Sequence, residues 1–526
     1  MKRIGFKNFR KFADFPVMDL APITILVGEN NAGKSTVVKG ILALNDFFNE
    51  RSPIYVTEED PSKREEAFVE ILKNRKFYFN ASYLAHIGTF QRALYNNADD
   101  NTITFFITKG IKDYTIEIQG DKDNDEIVSG IISKMCVDYP MIGVHVEFDL
   151  YKDSALVTFS PVNVEVEQLD YLPARMRKGA KTFLSSIDHT YEFKYRISDF
   201  CRNYLPDFIY LLEASVEIAI SAAMEFEKTV KHIGAAMVND LKPLSDIDAE
   251  TIDFLKKFTK KVCRDFQGES WMFILPDSGI QSRYSMIEYI YAHAVSQSVI
   301  YSAKDTNDYL SKTIHEFASL PQNAKDHKIV FIREWMKKFK IGIDFEITSV
   351  GGEAHLVRIK NTDEKSVNLA DKGMGSIQLM VLLFRLAINM PKRKPTPKER
   401  EMIIDSLPPI IIEEPEQNLH PMLQSKLADL IYELNRDYGF RFIIETHSEY
   451  LVRRTQVIVG DQFKHASDEE LRKNNPFRVY YFPQTGKPYY DMEYTNKGGF
   501  KQKFGDGFFN EASRLNSSVI KNKLDE

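Results

Sequence analysis

Apolar and polar positions change rhythm several times along this chain of 526 residues. Over residues 2–20 the apolar positions alternate loosely (Ile4, Phe6, Phe9, Phe12, Phe15, Val17), which predicts short strands joined by turns. The next run, Ile23, Thr24, Ile25, Leu26 and Val27, is apolar enough for a buried strand; it stops at Gly28, and a helical rhythm follows from Lys34 to about residue 48. Residues 50–64 are charged, contain Pro53 and Pro61, and predict a surface connection. The mixed pattern of 68–90 predicts helix. Beyond a polar stretch at 89–98, strands are predicted at 102–108, 114–119, 144–150 and 155–166, a sheet-rich lobe beside the strand that ends at Gly28.

From about residue 187 to 339 apolar residues recur at helical spacing, as at Leu255, Phe258, Val262 and Phe266, with breaks at Pro206, Pro243 and Pro276. Roughly four to six helices are expected, without the sustained heptads of a coiled-coil arm. Sheet patterning returns at 343–347 and 354–359, on either side of Gly351 and Gly352, which predicts a hairpin. A glycine-rich turn (Gly373, Met374, Gly375, Ser376, Ile377, Gln378) then opens an apolar helix to residue 388, and a Pro/Lys-rich loop occupies 391–398. An apolar strand ends at Glu413 and Glu414, a helix runs to Asn435, a second strand ends at Thr446, His447 and Ser448, and residues 478–509 alternate as short strands. The expected architecture is α/β, with a mixed sheet core and an antiparallel β lobe. An N-terminal lobe spans 1–186, a helical insertion 187–340 and a C-terminal lobe 341–526.

Composition changes this picture little. With 43% hydrophobic and 27% charged residues a folded soluble protein is expected. The net charge of −6 argues against a wholly basic nucleic-acid coat protein, although a local basic face stays open. Arg175, Arg177, Lys178 and Lys181 read as a solvated basic loop or as a phosphate-backbone contact. The three cysteines, Cys136, Cys201 and Cys263, are far apart and form no C-x-x-C pair, so their spacing indicates neither a metal site nor a disulfide framework. A reducing, cytoplasmic setting fits them best. The N-terminus has no signal-peptide h-region, and the most apolar long stretch, around 208–224, carries Glu213 and Glu217, so membrane insertion is not expected.

Candidate chemistry starts at the Gly28 turn. Gly28, Gly33, Lys34 and Ser35 occupy the fixed places of G-x-x-x-x-G-K-[ST], and the strand before and helix after satisfy the context that motif requires. In such a P-loop the backbone N–H groups of Gly28, Asn30, Asn31, Ala32, Gly33, Lys34, Ser35 and Thr36 can cradle phosphate oxygens at the positive end of a helix. Lys34 can reach the β- and γ-phosphates, and the Ser35 hydroxyl can ligate Mg²⁺. Neighbouring strand residues point to opposite faces, so Glu413 and Glu414 should have different roles, with Glu413 supporting Mg²⁺ through water and Glu414 polarising the attacking water. His447, closing the second apolar strand, can orient water beside a γ-phosphate. Gly373, Gly375 and Ser376 offer a second helix start for an anion; with one phosphate loop already present, this suggests a site supplied in trans to the nucleotide of a second subunit. Gln91, before a strand, is by itself a plain loop glutamine.

In this order the motifs resemble those of ABC-type ATPases of the SMC and OLD branch. Lys34, Ser35 and Thr36 match Walker A, and Glu413 and Glu414 match Walker B with Glu in place of the usual first Asp. Gly373 to Gln378 look like the signature, residues 417–421 like the D-loop, His447 like the switch histidine, and Gln91 like the Q-loop, which implies a contact to Mg²⁺. The resemblance covers about 1–171 and 345–509 but not the helical insertion, and the tail after His447 is too short for the TOPRIM nuclease domain of OLD proteins. It implies an ATPase that binds ATP and Mg²⁺ between the two subunits of a homodimer or within a higher oligomer. Similar stand-alone ATPases in systems such as PARIS and Septu control a separate effector, a nuclease or toxin, in antiphage defence, with DNA or a phage component as trigger. Two rival readings are an SMC-like repair ATPase that binds DNA directly and a slow ATP-dependent scaffold.

Overall fold

The computed structural model describes residues 2–49, 63–79, 87–109, 112–121, 126–140, 143–161, 190–196, 309–350, 354–363, 365–391 and 409–505, together with shorter pieces such as 204–205, 288–291 and 301–302. The chain forms two units, one of Met1–Asp19 and Lys39–Met286, the other of Leu20–Val38 and Ile287–Glu526. The phosphate-loop strand therefore belongs with the C-terminal half of the chain.

The first unit is built on an antiparallel sheet in the order Tyr191–Arg196, Ser154–Phe159, Val144–Asp149, Ser129–Tyr139, Lys112–Gln119, Thr102–Lys109, Arg3–Phe9 and Phe12–Asp19. Alternation gives it one apolar face. Phe6, Phe9, Phe15 and Phe105 are buried there, with Phe6 stacked on Phe15 at 4.5 Å between ring centroids. Six of these strands follow the alternation seen in the sequence, residues 162–166 of the one expected at 155–166 lying outside the described residues. The eleven-residue strand Ser129–Tyr139 does not, because its pairing with Lys112–Gln119 shifts register between Glu117 and Ile118, so that Ile132 and Ser133 are buried in succession. The stretch expected to be helical at 68–90 resolves into the helix Arg64–Lys73, the strand Lys76–Tyr78 and the one-turn helix Phe90–Ala93.

The second unit holds a six-stranded sheet in the order Glu288–Tyr291, Pro409–Glu413, Arg441–Glu445, Ile23–Gly28, Phe477–Phe482 and Tyr490–Met492, parallel throughout except for the last pair. A parallel sheet covered on both faces needs unbroken apolar strands, and Ile410, Ile411, Ile412, Phe442, Ile443, Ile444, Ile25, Leu26 and Val27 are all buried. Trp335, Leu382, Leu430 and Val459, from four helices, pack in one core with Ile25, Val27, Ile410, Ile412, Phe442 and Ile444. Two helices have clear end signals: His420 caps Pro421–Tyr438 at its start and Gly439, in the left-handed conformation, ends it, while Ser448 caps Glu449–Gln462. A smaller antiparallel sheet contains the expected hairpin, Asp344–Val350 with Ala354–Lys360.

Within the span read as a helical insertion, the described pieces include the helices Tyr309–Ala318 and Gln322–Lys338 but also strands. Tyr191–Arg196 extends the first sheet and Glu288–Tyr291 forms one edge of the second. Leu255, Phe258, Val262, Phe266 and the basic residues Arg175, Arg177, Lys178 and Lys181 lie outside the described residues. Among the described residues no helix is long and apolar enough to cross a membrane.

A buried histidine gives this unit a pH dependence. The side chain of His355 is buried, with Nε2 3.1 Å from His315 Nδ1 and Nδ1 3.2 Å from Ser349 Oγ. Burial, and then the neighbouring His315, hold its pKa below the ordinary 6.5. As pH falls through 6.5 the unfolded chain takes up a proton that the folded chain refuses, so this group's contribution to stability is lost on the acid side. His355→Gln is expected to flatten the loss between about pH 7 and 5, as followed by urea unfolding. A slope equal to that of the parent would contradict this assignment.

Candidate functional site

The site is assembled where three neighbouring parallel strands end. Crevices at the carboxyl ends of such strands are where open α/β sheets bind ligands. Parallel register places Glu413 opposite Glu445, and Glu445 opposite Leu26, two residues before Gly28. The loop then turns sharply. Gly28 has φ of +142°, and a Cβ there would lie 2.1 Å from the carbonyl oxygen of Phe482, so no side chain fits.

Lys34 is only 3% exposed, and its Nζ donates to the carbonyl oxygens of Gly28 (3.1 Å) and Glu29 (2.8 Å). The ammonium is thus folded back over its own loop, in the space that loop encloses. Ser35 Oγ donates to Glu445 Oε1 at 2.7 Å, a bond spanning 410 positions of sequence. The other oxygen, Glu445 Oε2, is buried without a hydrogen-bond partner among the described residues. Burial pushes the Glu445 carboxyl up to about 7; the Ser35 hydroxyl and the Lys34 charge oppose the rise, and the Glu413 and Glu414 charges add to it.

Glu414 leaves the strand with φ of +46°, in the left-handed region, and its backbone N–H donates to the Glu445 carbonyl oxygen at 2.7 Å. Its carboxylate accepts from Gln417 Nε2 and lies 3.6 Å from His447 Nε2. Burial, then the Lys34 charge, keep the imidazole below its ordinary pKa, against the pull of Glu414. The His447 backbone N–H donates to Glu416 Oε1 at 2.6 Å, which ties the end of one strand to the turn after the other. Glu416 is itself buried, which raises its pKa, and its Oε2 has no partner among the described residues.

Lys34, Ser35, Glu413, Glu414 and His447 are therefore brought together. The glycine-rich turn lies elsewhere in the same unit. Gly373 caps the helix Met374–Asn389 with ordinary extended backbone, is exposed, and has nothing within 4 Å of where a Cβ would stand. Gly375 packs tightly, its Cβ position 2.6 Å from the Asn418 carbonyl oxygen, and Gln378 Nε2 donates to the Pro415 carbonyl oxygen at 3.3 Å. Ser376 stands half-buried in the first turn of the same helix. Gln91 sits in the one-turn helix Phe90–Ala93 of the first unit.

Two residues of the site, Glu445 and Glu416, are not singled out by the sequence pattern, and Gln417 is read from it only as the start of the D-loop. Glu445 is the signal that was there to be read, a carboxylate at the end of an apolar strand of the same kind as the one ending at Glu413. The oxygens of Ser35, Glu413 and Glu445 are a hard donor set: Ser35 is bonded to Glu445, the Glu413 and Glu414 charges are felt at its carboxyl, and its second oxygen is buried without a partner among the described residues. Such a set fits a small divalent cation like Mg²⁺.

The sequence matches the AAA ATPase domain family over residues 1–452. No curated protein matches the chain. Among solved structures, the Smc head domain with an extended coiled coil from Pyrococcus furiosus, bound to the C-terminal domain of ScpA, is 10% identical, with 99% of each chain covered and a TM-score of 0.30. The SMC head domain from Thermotoga maritima is 9% identical, with 91% of this chain and 94% of that one covered and a TM-score of 0.28. The Smc head with a coiled coil and joint from Pyrococcus yayanosii is 11% identical, with 94% and 97% covered and a TM-score of 0.30. Likeness at that level leaves the assignment to the family match, whose span takes in the P-loop, both carboxylate strands and His447. The chain belongs to the AAA ATPase domain family and is an ATP-binding ATPase.

Proposed function

We propose that this ATPase hydrolyses ATP at the Gly28–Lys34 loop, and that it works as a nucleotide-gated homodimer which controls a separate effector. The observation that carries the hydrolytic part is the convergence on one sheet edge of a phosphate-loop lysine, a serine bound to a buried carboxylate, and a second carboxylate beside a histidine. Lys34 exchanges the Gly28 and Glu29 carbonyls for the β- and γ-phosphate oxygens. Ser35, Glu413 and Glu445 would hold Mg²⁺, which would supply neutralisation of phosphate charge there. Glu414 accepts the proton of the attacking water as oxygen adds to the γ-phosphorus and the bond to the β–γ bridging oxygen breaks. His447, kept largely neutral, orients that water. The Gln91 contact to Mg²⁺ remains part of the proposal on the strength of the motif order alone.

The dimeric part rests on the turn before Met374–Asn389. A helix start aimed at solvent, free of any covering side chain at Gly373, is a surface to which a second subunit's phosphates can dock. What supports the effector, a nuclease or toxin in antiphage defence, is the motif resemblance to stand-alone ATPases of such systems. ATP shifts the dimer toward its closed form only by its differential affinity for that form.

Gly373 offers a clean test of the trans geometry, because a side chain there disturbs nothing in its own subunit. Lys34→Ala and Gly373→Glu are each expected to be inactive alone. Mixed in equal amounts they should recover about a quarter of parental ATP turnover, since half of randomly assorted dimers are mixed and each carries one intact site. No recovery from confirmed heterodimers would overturn the trans assignment while leaving hydrolysis at the loop untouched.

A further inference from the structure

The first unit carries a group of metal-binding side chains unrelated to the nucleotide. Antiparallel pairing sets Cys136 opposite Glu147 and Asp138 opposite His145 on the strands Ser129–Tyr139 and Val144–Asp149. With a period of two, all four project from the same face of the sheet, opposite to the buried Met135, Val137, Val146 and Phe148. Ligand atoms of Cys136, His145 and Glu147 lie within 4.8 Å of one another, and Cys136 is a free thiol. His145 Nδ1 is 2.5 Å from Asp138 Oδ1, and Lys134 Nζ holds Glu147 Oε2 at 2.7 Å.

We propose that Cys136, His145 and Glu147 bind a Zn²⁺ ion, with Asp138 as the positioning residue behind the histidine. The chemistry of the donors favours zinc over the magnesium of the nucleotide site, since one thiolate and one imidazole are soft or borderline ligands. A zinc-bound histidine almost always gives its second ring N–H to a carboxylate, a backbone carbonyl or water, which fixes the tautomer and the ring direction. Asp138 already stands in that relation to Nδ1, so Nε2 is the nitrogen left for the metal. Lys134 engages one oxygen of Glu147 and leaves the other. Three protein ligands leave a fourth position for water. On binding, the Cys136 thiol and the protonated His145, at Nε2, each give up a proton to solvent, and the aqueous ion exchanges three water ligands for the sulfur, the nitrogen and a Glu147 oxygen. Linear spacing carries no sign of this site, because its ligands are joined only by strand register.

Cobalt substitution tests it on the full chain, with Co²⁺ alone as probe and no nucleotide. The parent protein is expected to develop a thiolate-to-cobalt charge-transfer band that Zn²⁺ abolishes at about one equivalent. Cys136→Ser should remove the band, while Cys201→Ser and Cys263→Ser keep it. Asp138→Asn should keep the band but weaken affinity by about 10–100-fold, which also covers the case of a poorly folding Cys136 variant. The carboxylates of the nucleotide site cannot produce a thiolate band, so they do not confuse the result. A parent protein without the band, a band that survives Cys136→Ser, or an Asp138→Asn variant of unchanged affinity would overturn the proposal. The first of these would leave the pair as a protonated His145 on Asp138 with no metal.

Discussion

Lys34→Ala is expected to lower ATP affinity by about 30- to 4,000-fold. The figure follows from removing one partner of a desolvated charge pair, which costs roughly 2–5 kcal/mol, and each 1.4 kcal/mol is about tenfold. The ammonium is 3% exposed and held by the Gly28 and Glu29 carbonyls, so it meets a phosphate already stripped of water. Alanine also removes one of the two influences that hold the Glu445 carboxyl down, so Glu445 should become harder to ionise in the variant. Titration of a fluorescent ATP analogue, with far-ultraviolet circular dichroism as a check on folding, measures the effect. A folded variant that binds within about threefold of the parent would sink the role given to Lys34.

Glu414→Gln is expected to separate binding from turnover. Glutamine has the same shape, can still accept from Gln417 Nε2 through its amide oxygen, and leaves the Glu414 backbone bond to the Glu445 carbonyl in place. It cannot accept a proton from water. Loss of a positioned general base costs about 10²–10⁴-fold in rate. Steady-state phosphate release should fall by that factor with the dissociation constant for ATP nearly unchanged. A variant that loses binding as fully as Lys34→Ala would place Glu414 in the binding machinery, and one that turns over at the parental rate would remove it from the chemistry.

Particular residues explain why parts of this site were legible in sequence and others not. The P-loop is contiguous: Gly28, Gly33, Lys34 and Ser35 lie within eight positions, and the strand and helix that flank them carry their own periodicity. Glu413, Glu414 and His447 were legible because each stands at the polar end of an apolar strand. Glu445 stands at such an end too, yet its part in the site comes from the Ser35 hydroxyl, which reaches it only through parallel pairing of Ile23–Gly28 with Arg441–Glu445. The strand Ser129–Tyr139 went unread because a register shift breaks its alternation, and with it went the pairing that gathers Cys136, Asp138, His145 and Glu147.

The amino-acid sequence by itself thus determined the α/β class, the phosphate loop, the paired carboxylates and the histidine, all of them features written in local spacing and in the periods of helix and strand. Only the tertiary structure decided which strands lie side by side. It placed Leu20–Val38 with the C-terminal unit, brought Glu445 to Ser35, and left Gly373 exposed at a helix start. The physical reason is that strand register is set by hydrogen bonds between segments far apart in the chain, and by which faces must be buried together. No period within either segment records its partner.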